Sequence, residues 1–268
     1  MFFVLDRVPA KRRGFFGRLW YAARGRPHTV TRVDMPQGYY YVILCSPKPD
    51  AKEFSRLRAL TARQNGQVLA PGDMLLPKGC GLSRQDSRAF RTRQLIDAAL
   101  HVLERRGPAI KSAALIDVDG RWQGLAERML RIVSTVYVVT ADQNRYPALN
   151  GQLGRELGAE LILQPHAECV DGVNAVIAPG GVGGIEGHVC HPMIFAPDTF
   201  DALDIAPQNC IVPPRFLPFL PQGIGSDVFA AALCHLPALT HSHEFLPETL
   251  CRMGREIALS DLANSHKT

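Results

Sequence analysis

The densest chemistry in this chain is a run of two carboxylates and two glycines, Ile116-Asp117-Val118-Asp119-Gly120, with Gly124 four residues further on. An apolar run, Ala113–Ile116, precedes it and a helical pattern follows, which puts the run on a strand-to-helix turn. Glycines are useful on such a turn because bare backbone N–H groups at a helix start can be approached by an anion such as a pyrophosphate. Here Asp117 and Asp119 stand where the first glycines of that arrangement are expected, and two carboxylates facing a pyrophosphate repel it. Two further groups accompany the run. Thr140 and Asp142 follow the next apolar segment, Asp142 lying 25 residues after Asp117, where an acid can contact a ribose. Both also read as turn or N-cap residues. Pro179-Gly180-Gly181-Val182-Gly183-Gly184 leaves a later apolar segment and reads either as a ligand loop or as a plain chain reversal.

The same residues, and others, also admit different chemistry. Asp117 and Asp119 in an Ile-Asp-Val-Asp-Gly string resemble the nucleophile and acid/base pair of haloacid-dehalogenase-type phosphatases. The helix that starts at once after Gly120 leaves no room for the insert closing such sites. No lysine occurs between Lys111 and Lys267, and Ala178-Pro179-Gly180-Gly181 replaces the acidic pair that holds Mg²⁺. His188, Cys190, His191, Cys234, His235, His241 and His243 concentrate imidazole and thiol ligands, but at no familiar zinc spacing, so no metal is assigned. Cys190 beside two histidines reads as an activated thiolate or as an inert buried cysteine. No Gly-x-Ser-x-Gly elbow and no Gly-x-x-x-x-Gly-Lys-Ser/Thr loop occurs, which excludes an elbow-type hydrolase and a P-loop nucleotidase at the motif level. No catalytic residue is named.

The elements that position these groups follow from periodicity. Val30–Asp34 and Tyr39–Cys45 flank the turn Met35-Pro36-Gln37-Gly38 as a hairpin. Pro49-Asp50 opens a helix to about Gln64, with Phe54, Leu57, Leu60 and Thr61 on one face and Asn65-Gly66 as its stop. A second helix runs from Ser83 to Arg105. Gly107-Pro108 ends it, and the boundary near Arg106–Ala109 predicts domains over 1–107 and 108–268. Beyond it, strands at Ala113–Ile116, Thr135–Val139, Leu161–Leu163 and Ala175–Ala178 alternate with helical stretches over Gly120–Ile132 and from Pro147 to Leu157. A fifth strand is expected at Cys210–Val212, and Val228–Leu236 and Pro247–Leu259 read as closing helices. Near-continuous apolar strands alternating with helices predict a parallel sheet covered on both faces. The fold class expected is α/β, a doubly wound parallel sheet preceded by a smaller α/β domain.

On this element order, and on the remnant turn at Gly120 and Gly124, residues about 110–240 resemble the NAD(P)-binding Rossmann superfamily. The layout is distantly similar to two-domain dehydrogenases of the shikimate dehydrogenase type, which also place a smaller α/β domain first. The resemblance implies NAD or NADP as cofactor, with Asp117, Asp119, Gly120, Gly124, Thr140, Asp142, Pro179, Gly180 and Gly181 lining its site. The expectation carried forward is a Rossmann-like ligand-binding or regulatory protein that has lost, or never had, dehydrogenase chemistry, with the question of any other catalysis left open. An NAD(P)-dependent oxidoreductase is the alternative, and a small molecule or nucleotide is the partner in either case.

Composition bounds the rest. Seven scattered cysteines without a Cys-x-x-Cys pair argue for reduced thiols in a cytosol, hence a cytoplasmic expectation. The opening Met1-Phe2-Phe3-Val4-Leu5 stops at Asp6, too short for a secretory signal, and no transmembrane run is present. Residues 1–33 hold eight Lys/Arg against Asp6 alone, a net +7, while the remainder carries 22 bases and 24 acids, a net −2. In that stretch Phe15, Phe16, Leu19, Trp20 and Ala23 recur at helical spacing among arginines. Such a segment fits a membrane surface or nucleic acid, or packing against its own domain, which is the reading kept.

Overall fold

The computed structural model describes residues 1–7, 30–46, 49–146, 156, 158–166, 172–181, 193–197, 204–207, 212–239, 245–252 and 255–264. The basic aromatic segment, the expected helix after Pro147 and the cysteine–histidine cluster around Cys190 lie outside these residues, as does most of the glycine loop beyond Gly181. The chain divides into two compact units, one of residues 1–90 and 211–245, the other of residues 91–210 and 246–268. The expected boundary near Arg106–Ala109 falls inside the second unit, because the helix before it contributes Leu95, Ala98, Ala99, Val102 and Leu103 to that unit's core.

In the first unit, β1 (Phe2–Arg7), β2 (Val30–Met35) and β3 (Gly38–Cys45) form a three-stranded sheet in the order β1-β3-β2. The β2–β3 pair is the expected hairpin, Met35 opposite Gly38. The opening Phe2–Leu5 run, read only as too short for a signal, is a strand parallel to β3, with Leu5 fully buried. Helix α1 (Ala51–Thr61) begins where Asp50 accepts a hydrogen bond from the Glu53 N–H at 2.8 Å, an N-cap. It buries Phe54 and Leu57 against Phe3, Leu5 and Ile43, and Thr61 is buried with its hydroxyl donating to the Leu57 carbonyl, whereas Leu60, expected on that face, is 42% exposed. A short 3₁₀ turn then ends at Asn65, φ +51°, and Gly66, where an added Cβ would lie 2.3 Å from the Gly81 carbonyl oxygen. Two-residue strands β4 (Gln67–Val68) and β5 (Ser83–Arg84) pair in parallel. Helix α2 (Arg88–Arg106) starts in this unit and continues into the second.

The second unit is built on one large sheet. Its elements are β6 (Ser112–Ile116), α3 (Gln123–Leu130), β7 (Thr135–Val139), β8 (Glu160–Gln164), β9 (Ala175–Ile177), β10 (Met193–Phe195) and β11 (Asp204–Pro207). Helix α4 (Ser226–Cys234) belongs to the first unit, where Phe229 packs edge-on to Phe2 and Tyr40. It was expected to close the Rossmann-like domain; its apolar face instead serves the smaller sheet. Strands β12 (Thr249–Arg252) and β13 (Arg255–Ala258) and helix α5 (Leu259–Asn264) complete the second unit.

The sheet order is β13-β12-β11-β10-β9-β6-β7-β8, and every pairing from β11 to β8 is parallel. Counting from β6, the parallel part has the order 3-2-1-4-5-6 of a Rossmann-like sheet. Both faces are apolar, as the near-continuous strand runs require. Ala113, Leu115, Val136, Val138, Ala175 and Ile177 face α2, α3 and α5, while Ala114, Ile116, Val139 and Val176 pack into a second cluster.

Two expectations fail here. The fifth and sixth parallel strands are β10 and β11, in a stretch read as loop; Val212, assigned to a strand, lies outside any, while Cys210 and Ile211 fall outside the described residues. Pro247–Leu259, read as a helix, is the antiparallel β12–β13 hairpin with a helix only from Leu259. Pairing with β11 supplies backbone partners that local propensity does not report, and it buries Leu250 completely.

Candidate functional site

The direction of chain crossing reverses between β6 and β9, and in this sheet type ligands bind beyond the carboxyl ends of the strands at that point. Register places the candidates there. Ile116 is level with Val139 and Leu115 with Ile177, so Asp117, Thr140 and Ala178-Pro179 leave three adjacent strands side by side. Asp117 N–H donates to the Val139 carbonyl at 2.9 Å and Ala141 N–H to the Val118 carbonyl at 3.2 Å, which stitches the first two turns together.

Asp117 is 2% exposed. One carboxylate oxygen accepts from the Arg121 N–H at 2.8 Å, and the other accepts from the Trp122 N–H at 2.7 Å and from the Tyr146 hydroxyl. Consecutive backbone N–H groups converging on one anion form a nest, and the protein's own side chain fills this one. Burial, with the Asp117 carboxylate beside it, pushes the Tyr146 phenol above its usual range, so Tyr146 stays a donor. With the side chain buried and both oxygens held by the protein's own donors, Asp117 is not presented to solvent for attack on phosphorus, against the phosphatase-like reading.

The other turn residues are arranged around it. Asp119 is exposed and pairs with Arg121 at 3.1 Å. Gly120 has φ +65° and donates to the Asp117 carbonyl at 3.0 Å, and a Cβ there would lie 2.8 Å from Cδ of Arg145, whose chain covers the turn. Gly124 sits in the first turn of α3, with no heavy atom within 4 Å of an added Cβ. Thr140 is fully buried; its N–H continues the β7–β8 ladder to the Gln164 carbonyl at 2.9 Å, and its hydroxyl accepts from Asp142 N–H at 3.2 Å. Asp142 pairs with Arg145 at 2.9 Å. Pro179 is buried and Gly180 exposed, while Gly181, φ +96°, closes a turn by donating to the Ala178 carbonyl at 3.0 Å. An added Cβ on Gly180 or Gly181 would meet nothing within 4 Å.

Three contributing residues were not foreseen. Tyr146 lies 29 residues from Asp117 and nothing in its spacing announces the bond. Arg145 carries the one available signal, an i,i+3 match to Asp142. Trp122 stands five residues after Asp117, where the third glycine of a dinucleotide turn allows close helix–strand packing, and its ring packs against the main core instead. The residues present therefore do not fit a pyrophosphate on this turn: the Gly120, Arg121 and Trp122 N–H groups are engaged within it, and the Arg145 chain lies where a Cβ on Gly120 would go. Among the described residues no group of three or more His, Cys, Asp or Glu could hold a metal ion, and no helix is long and apolar enough to cross a membrane.

No family model and no curated protein sequence matches the chain. Among solved structures, it is similar to the Δ1-pyrroline-2-carboxylate reductase of Thermococcus litoralis, solved with NADH and L-proline, at 16% identity and a TM-score of 0.26. That match covers 38% of this chain and spans 33% of the reductase. It is also similar to the L-tryptophan dehydrogenase of Nostoc punctiforme, at 11% identity and a TM-score of 0.36, over 91% of this chain and 78% of that one. These likenesses are distant, and the Rossmann-like assignment stands on the strand order itself.

Proposed function

We propose that this is a Rossmann-like ligand-binding or regulatory protein of the cytoplasm that works without dehydrogenase chemistry. Its small-molecule ligand sits beyond the carboxyl ends of β6, β7 and β9. The observation that carries this reading is the Asp117 carboxylate, held by the Arg121 and Trp122 N–H groups where a dinucleotide would need them. The location rests on the reversal of strand order between β6 and β9. Asp119, Asp142, Gly180 and Gly181 are the residues proposed to face the ligand, with Thr140 buried behind them and accepting from Asp142 N–H.

A second reading, an NAD(P)-dependent oxidoreductase of shikimate-dehydrogenase-like layout, draws on the 3-2-1-4-5-6 order and on the open turn at Gly180-Gly181. The two are separated by activity. Purified full chain assayed with NADH or NADPH against a panel of carbonyl substrates is expected to show no turnover. Cofactor oxidation that depends on both substrate and protein would reverse the preference.

A further inference from the structure

Asp117 is not a surface acid that happens to lie near a turn. Its side chain is buried, it carries no arginine or lysine partner in the contacts that hold it, and its charge is met by three donors from two segments. Two are successive backbone N–H groups, those of Arg121 and Trp122; the third is the hydroxyl of Tyr146, itself fully buried. A buried carboxylate survives only when its oxygens are satisfied in this way. The donors are fixed independently of it. Gly120 sets the turn through φ +65° and its bond to the Asp117 carbonyl, Trp122 packs on the core, and Tyr146 is locked by burial.

We infer that the turn from Asp117 to Trp122 is an anion receptor closed from within: the carboxylate of Asp117 occupies permanently the place of an anion, with Tyr146 as the positioning residue that holds it. The inference rests on the functional reading above, in which no ligand phosphate sits on this turn. The occupant is a carboxylate on one methylene, so the group removed by Asp117→Ala or Asp117→Gly matches formate or acetate in size and charge. The device keeps the start of α3 ordered in the absence of any ligand, which a phosphate-dependent turn does not do.

The test is thermal melting of full-chain Asp117→Gly and Asp117→Ala in sodium formate or sodium acetate against sodium chloride at equal ionic strength. Both variants are expected to melt below the wild type in chloride and to regain stability saturably in the carboxylate salts. Formate at about ten times its dissociation constant should raise the variants' Tm by about 3–6 °C, with no comparable response from the wild type. Adding Tyr146→Phe to Asp117→Gly should weaken that rescue by about tenfold in dissociation constant, since a charge-assisted bond to the anion is lost. A plain filled cavity would be indifferent to Tyr146. Variants that respond to formate no more than the wild type does, or that fail to fold in either salt, overturn the inference. Binding of nicotinamide dinucleotides to the wild type would overturn the functional reading alone, so the two failures are distinguishable.

Discussion

At the residue scale, the turn before α3 depends on how a buried charge is satisfied. Tyr146→Phe removes one of the three donors to Asp117 while keeping the ring in place. We expect a loss of about 1.5–3 kcal/mol, measured by denaturant unfolding, because a hydrogen bond to a charged group is deleted without leaving space to collapse into. The phenol also predicts a pH response. Its pKa is raised in the folded state by burial and by the neighbouring carboxylate, so the folded protein holds this proton where the unfolded chain releases it. The corresponding stability is complete below the unfolded tyrosine pKa of about 10 and falls as pH rises beyond it. Tyr146→Phe should flatten the alkaline limb of the stability–pH curve; an unchanged limb would contradict the assignment. In the first unit, burial first, then Glu53 and Asp6, pushes the Cys45 thiol up to about 12, and the side chain is 1% exposed. Iodoacetamide at pH 8 should modify Cys45 only after denaturation, read by peptide mass spectrometry. The acidic character of the turn was legible in the sequence, as two aspartates at glycine positions. Their division of labour was not, since whether Asp117 faces in and Asp119 out depends on Tyr146 arriving from a distant segment.

At the scale of elements, legibility follows strand length and burial. β6, β7 and β8 each span five residues, and together with β9 they read directly as strands from their apolar runs. β10 has three residues and β11 four, both within a Gly- and Pro-rich stretch, so periodicity has too few positions to act on. The β12–β13 hairpin misled for another reason. Leu250, Met253 and Ile257 fall at i, i+3 and i+7, a spacing compatible with a helix, and only the free edge of β11 selects the strand. Helix caps obey local rules more closely. Asp50→Ala should cost about 1 kcal/mol of stability through the lost bond to Glu53 N–H, measured by chemical denaturation. Gly120→Ala tests the turn that opens α3. Its left-handed φ and the close approach of Arg145 predict a loss of about 1–2 kcal/mol. A neutral result would mean that the turn relaxes without consequence and does not hold Asp117 in place.

For the whole molecule, the consequence is that this chain folds as a Rossmann-like sheet while lacking the feature by which that sheet usually seats a dinucleotide. The strand order and its reversal beside β6 were anticipated in kind from the alternation after Ala109, because a parallel sheet buried on both faces leaves a strong apolar signal. The interleaving of the two units was not, since residues 211–245 return to the first unit through packing that no local pattern encodes. The return of 246–268 to the second unit is equally tertiary, and it makes a prediction. A chain ending at residue 245 loses β12, β13 and α5, and with them buried Leu250, Leu259 and Leu262. It should lose cooperative thermal unfolding and near-ultraviolet dichroism. Retention of both would show that the second unit's core is complete without the hairpin.

The most direct measurement is calorimetric titration of the wild-type chain with NAD⁺, NADH, NADP⁺ and NADPH, with melting followed in parallel. The proposed function, a Rossmann-like protein without dehydrogenase chemistry, predicts no heat of binding and no rise in Tm with any of the four. Saturable heat, with the stabilisation of about 2.7 kcal/mol expected at a hundred times the dissociation constant, would contradict it. The protein would then be a nicotinamide-dependent enzyme that seats its cofactor away from the Asp117 turn.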